Sequence, residues 1–407
     1  MKLCFITNYL THHQLPLCQE FYRLLGDDFT LLVTTPMDAE RIRMGWELDL
    51  DAYPFAVEFD TDYEGNGALV RDADALICGG THVMYIRERL QSGKLTFRYF
   101  ERLYKKGRAR AFSPRGYLDK YREHTKYRNA PVYLLCAGAY VPADFSLFRA
   151  YPDKMLRFGY FPQFIPYTEE ERKRPEKDAG RDRIEILWTG RMIDWKHAED
   201  AVREAGRLAR SGIMFHLTMV GEGDHRAQAQ QLAAQLGVSN VVTFLPFEKP
   251  EAIRQRMLQS DVYLLTSDHQ EGWGAVVNEA MNAGCAVIAG SGAGSVPYLI
   301  RDGENGLVYP DGDTKKLGEL LYRACNEDPA KDKGLRARLG RAAYRTIAEE
   351  WNAAVAAERF LAFCERALSG EVKTDLYADG PMSKAPMIAP SRGYDYCRGG
   401  NAEGKDG

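Results

Sequence analysis

The chain has no run of 18 apolar residues, so no segment is expected to cross a bilayer as a helix. None of its 8 cysteines (Cys4, Cys18, Cys78, Cys136, Cys285, Cys325, Cys364 and Cys397) forms a CxxC pair. That argues against a zinc site or a disulfide scaffold. It fits reduced thiols packed inside a cytoplasmic protein. Strong net charge is missing too: 54 Lys and Arg stand against 57 Asp and Glu, a balance of -3. Composition therefore gives no global reason to expect nucleic acid as a partner. The opening "MKLCFITNYLTHHQ" lacks a small-residue cleavage site, and reads as a buried first strand instead of a leader.

What is present is an alternation. Of 407 residues, 45% are hydrophobic, enough for large cores in two or three domains. Short apolar runs at Lys2–Tyr9, Phe29–Thr35, Asp74–Gly80 and Val132–Gly138 are separated by helix-like stretches such as Leu15–Leu25. Phe161–Arg183 interrupts them with three prolines and a dense charge run. The alternation then restarts at Arg183–Gly190, Met214–Gly221, Asn240–Phe247, Asp261–Ser267 and Cys285–Gly292. Continuous apolar strands between helices predict parallel sheets covered on both faces. The expected division is 1–165, a linker at 166–183, and a second domain at 184–345. A helix at 346–369 is expected to return to the first domain, followed by a poorly ordered Gly- and Pro-rich tail at 370–407.

The chemistry concentrates in "EGWGAVVNEAMNAGCAVIAG", where Glu271 and Glu279 stand eight apart. Gly272 and Gly274 allow a sharp turn and close approach to a ligand, Trp273 lies between them, and a helix is predicted to begin near Ala275. A carboxylate accepts two hydrogen bonds in a fork, which suits a vicinal diol. One glutamate for a sugar ring and one for a second diol, with phosphates between, outlines a nucleotide-sugar. Glu279 also has a plainer reading as a solvated helix residue, and Glu271 as a helix cap.

This E-x7-E element resembles the family-4 retaining glycosyltransferases of the GT-B fold, as found in bacterial surface-polysaccharide synthesis. The likeness runs from Ile184 to about Pro310. "WTGRMIDWKH" is similar to the family's G-R-x4-K loop, "MVGEGDHR" to its G-x-G turn, "VTFLPF" with "SDVYLLTS" to its base-proximal segment, and "DGENGLVYPDGD" to its N-G-L-x-x-P-x-D segment. The resemblance implies an α/β GT-B chain with two doubly wound, Rossmann-like domains facing a central cleft. It implies a metal-independent, hexosyltransferase-type reaction with retention, needing no cofactor. The donor would be a nucleotide-sugar, a UDP-sugar favoured over a GDP-sugar, and the acceptor a glycan or lipid-linked molecule. By the same resemblance Glu271 meets the donor sugar, Glu279 the ribose, and Arg191 and Lys196 the diphosphate. Gly221, Gly223 and Phe247 join Gly272, Trp273 and Gly274 around the donor. His82 is a further catalytic candidate near the sugar. Two fixed cations stabilise the charge that grows on the leaving diphosphate.

There are departures. Tyr298 stands where the family usually has a glutamate, and "NYLTHHQ" replaces a glycine pair after the first strand. His12 and His13 in that loop become candidates for the phosphates or the acceptor. "DTD" at Asp60–Asp62 resembles a metal-binding motif of the other glycosyltransferase fold, and reads as a chance match. Competing readings are a sugar-nucleotide 2-epimerase of the same fold and a non-catalytic carbohydrate- or partner-binding protein.

Arg87–Arg128 carries 14 Lys and Arg against 4 Asp and Glu, with aromatics interleaved. A cationic aromatic helix there would suit an anionic membrane surface, which would place the protein peripherally on the inner face of the membrane. No nucleic-acid module is recognisable.

Overall fold

In this computed structural model the described residues are 1–37, 39–43, 48–107, 111, 113–172, 183–327, 331–371 and 374–389. They fall into two compact units. Met1–Gln163 joins Trp351–Pro390 in the first, and Phe164–Glu350 makes the second.

The first strand, LCFIT, is buried at every position. Such a strand suits only a sheet covered on both faces. The first unit has seven strands: β1 (Leu3–Thr7), β2 (Phe29–Val33), β3 (Ala56–Glu58), β4 (Ala75–Gly79), β5 (Thr96–Phe100), β6 (Val132–Ala137) and β7 (Met155–Phe158). They lie in the order β3-β2-β1-β4-β5-β6-β7, all parallel. The second unit repeats the plan with β8 (Ile184–Thr189), β9 (Phe215–Val220), β10 (Val242–Leu245), β11 (Val262–Leu265), β12 (Ala286–Gly290) and β13 (Leu307–Tyr309). Their order is β10-β9-β8-β11-β12-β13, again all parallel. Both sheets are doubly wound, Rossmann-like α/β sheets, as the alternation predicts.

The basic stretch corrects its expectation. Thr96–Phe100 is the strand β5, paired with β4 and β6, where a helix was expected. Its Thr-Phe-Arg-Tyr-Phe sequence is rich in strand-forming residue types, and the surrounding positive charge hid that. Arg98 is 2% exposed and Arg102 4%, so neither can meet a membrane surface. Arg89 is fully buried, and its guanidinium donates to the carbonyls of Val70, Ala73 and Leu95 and to Thr96 Oγ1. Arg102 faces the buried Asp144 at 3.5 Å, and Asp144 also accepts from the backbone N–H of Leu103 and Tyr104. Within the stretch the helix Pro114–Glu123, capped by Ser113, leaves Tyr117, Leu118 and Tyr121 open to solvent, and Arg87, Lys106 and Lys126 are exposed too, while 108–110 and 112 lie outside the described residues.

The chain leaves the second unit after the helix Leu335–Glu349, breaks at Trp351, and starts a new helix, Ala353–Leu368, capped by Asn352. This last helix packs on Leu15–Leu25, with Phe360 5.3 Å from Phe21 and 4.6 Å from Phe97, centroid to centroid. The expected poorly ordered tail fails over 374–389. Met382 is fully buried, Arg157 donates its N–H to Ser383 O at 2.7 Å, and Ala385 donates to Met155 O at 2.9 Å. An edge strand offers unpaired backbone groups, and this segment covers those of β7. The rest of the tail, 390–407 with Cys397, lies outside the described residues, as do 173–182 of the expected linker.

Candidate functional site

In the second sheet the strand order reverses between β8 and β11. Loops leaving the carboxyl ends at such a point diverge and open a crevice. The loop after β8 carries Arg191 and Lys196; the loop after β11 carries Glu271. Hydrogen bonds lace the two loops together. Trp188 Nε1 donates to Thr266 Oγ1 at 2.7 Å, that hydroxyl donates to Lys196 O at 2.6 Å, and Asp268 N–H donates to Trp195 O at 3.0 Å. Lys196 Nζ forms an ion pair with Glu271, both side chains mostly buried. The Arg191 guanidinium lies 5.8 Å from the Trp195 ring centroid, on an exposed stretch of the same loop. Two cations and a carboxylate, 75 residues apart at the Lys196–Glu271 contact, thus share one strand-end crevice.

The two turn glycines are required by a close approach. Gly221 and Gly223 both have φ +146. A Cβ on Gly221 would sit 1.9 Å from Gly190 O, and one on Gly223 would sit 2.3 Å from Met192 O. The backbone after β9 therefore lies directly against the loop after β8, joined by Met192 N–H to Glu222 O at 2.7 Å. Phe247, after β10, is 40% exposed.

Beyond Glu271 the glycine loop turns at Gly274, φ +88, into the short helix Val276–Asn282. Gly272 is buried. Trp273, a candidate donor contact, turns its side chain into the protein. Its side chain is 1% exposed and Nε1 donates to Asn278 Oδ1 at 2.9 Å, so it braces the loop from behind. Indole area is large and apolar, and burying it here outweighs presenting it to a polar ligand. Glu279, in the first turn of the helix, has its side chain only 9% exposed. Arg254 Nη1 lies 3.8 Å away. Burial, only partly offset by Arg254, pushes the Glu279 carboxyl up to about 7. A solvated surface glutamate would show neither feature.

In the first unit the strand order reverses between β1 and β4. His12 and His13 lie in the loop after β1, and His82 lies in the loop after β4. The two imidazoles of His12 and His13 are 3.8 Å apart, centroid to centroid. Burial, then the neighbouring His12, lowers the His13 pKa well below the usual histidine range. His82 is exposed, and its Nδ1 accepts from Met84 N–H at 3.2 Å, capping a short 3-10 turn. Of the DTD motif, Asp62 caps the helix Tyr63–Asp72 through Gly65 N–H at 3.0 Å.

Sequence reasoning missed Arg254, on the helix Pro250–Gln259, because no motif surrounds it. It also missed the pair His197–Asp268 at 3.2 Å, which lies beside Lys196. The hydrogen bond that His197 Nε2–H donates to the Asp268 carboxylate raises the His197 pKa. The signal available was the histidine that ends "WTGRMIDWKH", a polar residue at the start of the next helix.

Residues 169–346 match the family model for glycosyl transferases group 1. The amylovoran biosynthesis glycosyltransferase AmsK of Erwinia amylovora is 28% identical over 152 residues, 36% of this chain and 37% of that protein. The lipopolysaccharide core biosynthesis glycosyltransferase LpsE of Rhizobium meliloti (strain 1021) is 27% identical over 188 residues, 46% of this chain and 52% of that protein. The match thus spans about half or less of these relatives' lengths. Among solved structures, Anabaena Alr3699/HepE in complex with UDP superposes with a TM-score of 0.65 at 14% identity, covering 91% of this chain and 100% of that one. The lipopolysaccharide outer core galactosyltransferase WaaB, in its apo form, gives 0.63 at 15%, with the same coverage. The chain therefore has the GT-B fold, and the stretch that matches the glycosyl transferases group 1 model lies in its second unit.

Proposed function

We propose that the protein moves a sugar from a nucleotide-sugar, a UDP-sugar foremost, to a glycan or lipid-linked acceptor in polysaccharide synthesis, with retention of configuration. The observation that carries this reading is the Lys196–Glu271 pair at the β8/β11 switch point, with the buried Glu279 eight residues on. HepE, of the same fold, binds UDP, and the relatives' names tie them to amylovoran and lipopolysaccharide core.

The division of labour follows from charge. Arg191 and Lys196 hold the diphosphate and stabilise the negative charge that grows on it as the glycosidic bond breaks, with no metal needed. Glu271 keeps Lys196 in place before the donor arrives, then shares it with the phosphate while gripping sugar hydroxyls. Glu279 accepts hydrogen bonds from the ribose diol. The acceptor hydroxyl attacks the anomeric carbon on the face the diphosphate leaves, and its proton passes to the leaving phosphate oxygen. His12, His13 and His82 serve the acceptor or phosphates from the first unit. The helix Pro114–Glu123, with Arg115, Lys120 and Arg122 beside exposed tyrosines, is a part of the basic stretch that could meet an anionic membrane surface.

Release of the nucleoside diphosphate from a panel of UDP- and GDP-sugars, with and without acceptor glycans, tests the reading. Acceptor-dependent release that ceases in Lys196→Met supports it. Rapid release independent of any acceptor, or interconversion of the free nucleotide-sugar, would overturn transfer as the activity.

A further inference from the structure

A buried carboxylate that must accept two hydroxyls needs help to stay charged. The Glu279 side chain is 9% exposed and the Arg254 side chain 15%. Arg254 reaches Glu279 Oε1 with Nη1 at 3.8 Å, and donates Nη2 to Glu251 Oε1 at 2.9 Å. Glu251, on the same helix, is 73% exposed, so its charge is largely screened by water. The other titratable groups that interact electrostatically with Glu279 are Tyr167, ahead of β8, and Tyr263 on β11. Burial raises both phenols above their ordinary value, so both are neutral near pH 7. Glu171 acts on Tyr167 from the fully exposed side. Among the described residues, Arg254 is thus the one cation that favours the charged form of Glu279.

We infer that Arg254 is a positioning residue: from outside any recognised motif, it keeps the Glu279 carboxylate charged for the ribose diol and so ties nucleotide affinity to pH near neutrality. The inference rests on the reading of Glu279 as the ribose acceptor. A charged carboxylate accepts from both hydroxyls of a diol, whereas the protonated acid must donate one hydrogen and loses an acceptor site. The neighbouring guanidinium lowers the energy of the charged form; without it, burial acts alone and the acid form prevails at neutral pH.

The test is calorimetry with UDP from about pH 6 to pH 9 on wild type, Arg254→Gln, Arg254→Lys, Glu279→Gln and the double Gln variant. The diphosphate titrates identically in every sample, so the readout is the shift between variants. In wild type, affinity should rise as pH passes through about 7. Arg254→Gln should bind UDP roughly fivefold more weakly at neutral pH, with the rise displaced upward by about one pH unit. Arg254→Lys should restore most of it, and the double variant should bind no worse than Glu279→Gln alone. An unshifted profile in Arg254→Gln, beside a weakened Glu279→Gln, overturns the inference and leaves the ribose reading standing. A Glu279→Gln variant that binds UDP as well as wild type overturns the ribose reading, and the inference with it. Circular dichroism on each variant separates lost folding from lost binding.

Discussion

The two units share a doubly wound plan and use their cations in opposite ways. In the first, Arg89 is wholly enclosed and its donors go to backbone carbonyls in the helix Tyr63–Asp72 and just ahead of β4 and β5. Arg98 and Arg102 are buried beside it in the chain. In the second, Arg191 and Lys196 stand at a strand end, one exposed and one held by a carboxylate. A count of charge along the sequence ranks the first group as the binding surface. Position relative to the sheet reverses that ranking. A guanidinium has five donors in a rigid fork, so it can serve as an internal tie for carbonyls as readily as a ligand for phosphate.

The largest expected effect breaks the comparison at Arg89. Arg89→Met removes the donors of at least four buried acceptors, and unfolding in urea should show a loss of about 3–5 kcal/mol. Arg191→Met should change stability by less than about 0.5 kcal/mol while abolishing most UDP affinity. Equal stability losses in the two variants would erase the distinction drawn between the units.

Next come the glycines within the second unit. Gly221→Ala forces a Cβ against Gly190 O, and should cost about 3 kcal/mol together with nucleotide binding. Gly212 also has positive φ, but open space around it, so Gly212→Ala should cost only about 1 kcal/mol. Thermal unfolding of both variants checks whether close approach, beyond φ alone, sets the requirement.

The two glutamates sharpen the site itself. Glu279→Gln should weaken UDP binding by about 1.5–3 kcal/mol. Glu271→Gln should leave UDP affinity nearly intact and lower the transfer rate, because UDP carries no sugar for it to hold. The reverse pattern would exchange their roles. Glu279 has a stability signature as well. Its folded-state pKa of about 7 lies above the ordinary glutamate value of 4.5, so the folded state holds the extra proton between those limits. Stability should therefore decline as pH rises through that window, and the decline should vanish in Glu279→Gln.

The smallest effect concerns the membrane. Replacing Arg115, Lys120 and Arg122 by Ser should weaken binding to phosphatidylserine vesicles by about 1 kcal/mol per charge at low salt. The same change at Arg98 and Arg102 should act on folding instead, since those side chains are enclosed. Vesicle flotation beside an unfolding curve distinguishes the two. Wild type that stays off such vesicles at every salt concentration would remove membrane docking from the proposal.

Much of the second unit was legible. Its strands are mostly apolar, and five of the six were read to within a few residues of their observed bounds. Glu271, Glu279, Lys196 and the two turn glycines stood out because tight turns leave glycine at fixed offsets. β5 was misread because the dense positive charge on either side of its Thr-Phe-Arg-Tyr-Phe sequence suggested a surface helix. β13, three residues long, carries too little periodicity to register. The burial of the Trp273 indole was not legible, because a sequence does not say which side of a loop an indole turns to.

The sequence alone determined where strands, turns and helix starts fall, since propensity, glycine and apolar period act over a few residues. It also determined the E-x7-E spacing that puts one carboxylate on a loop and the next in a helix. Tertiary structure decided which charges meet. The pairing of Lys196 with Glu271, the enclosure of Arg89 and the facing of Arg254 to Glu279 all depend on strand order, and strand order is set by nonlocal pairing and burial. The same decision fixed the covering of β7 by 382–385, where free backbone groups at a sheet edge found partners more than two hundred residues away.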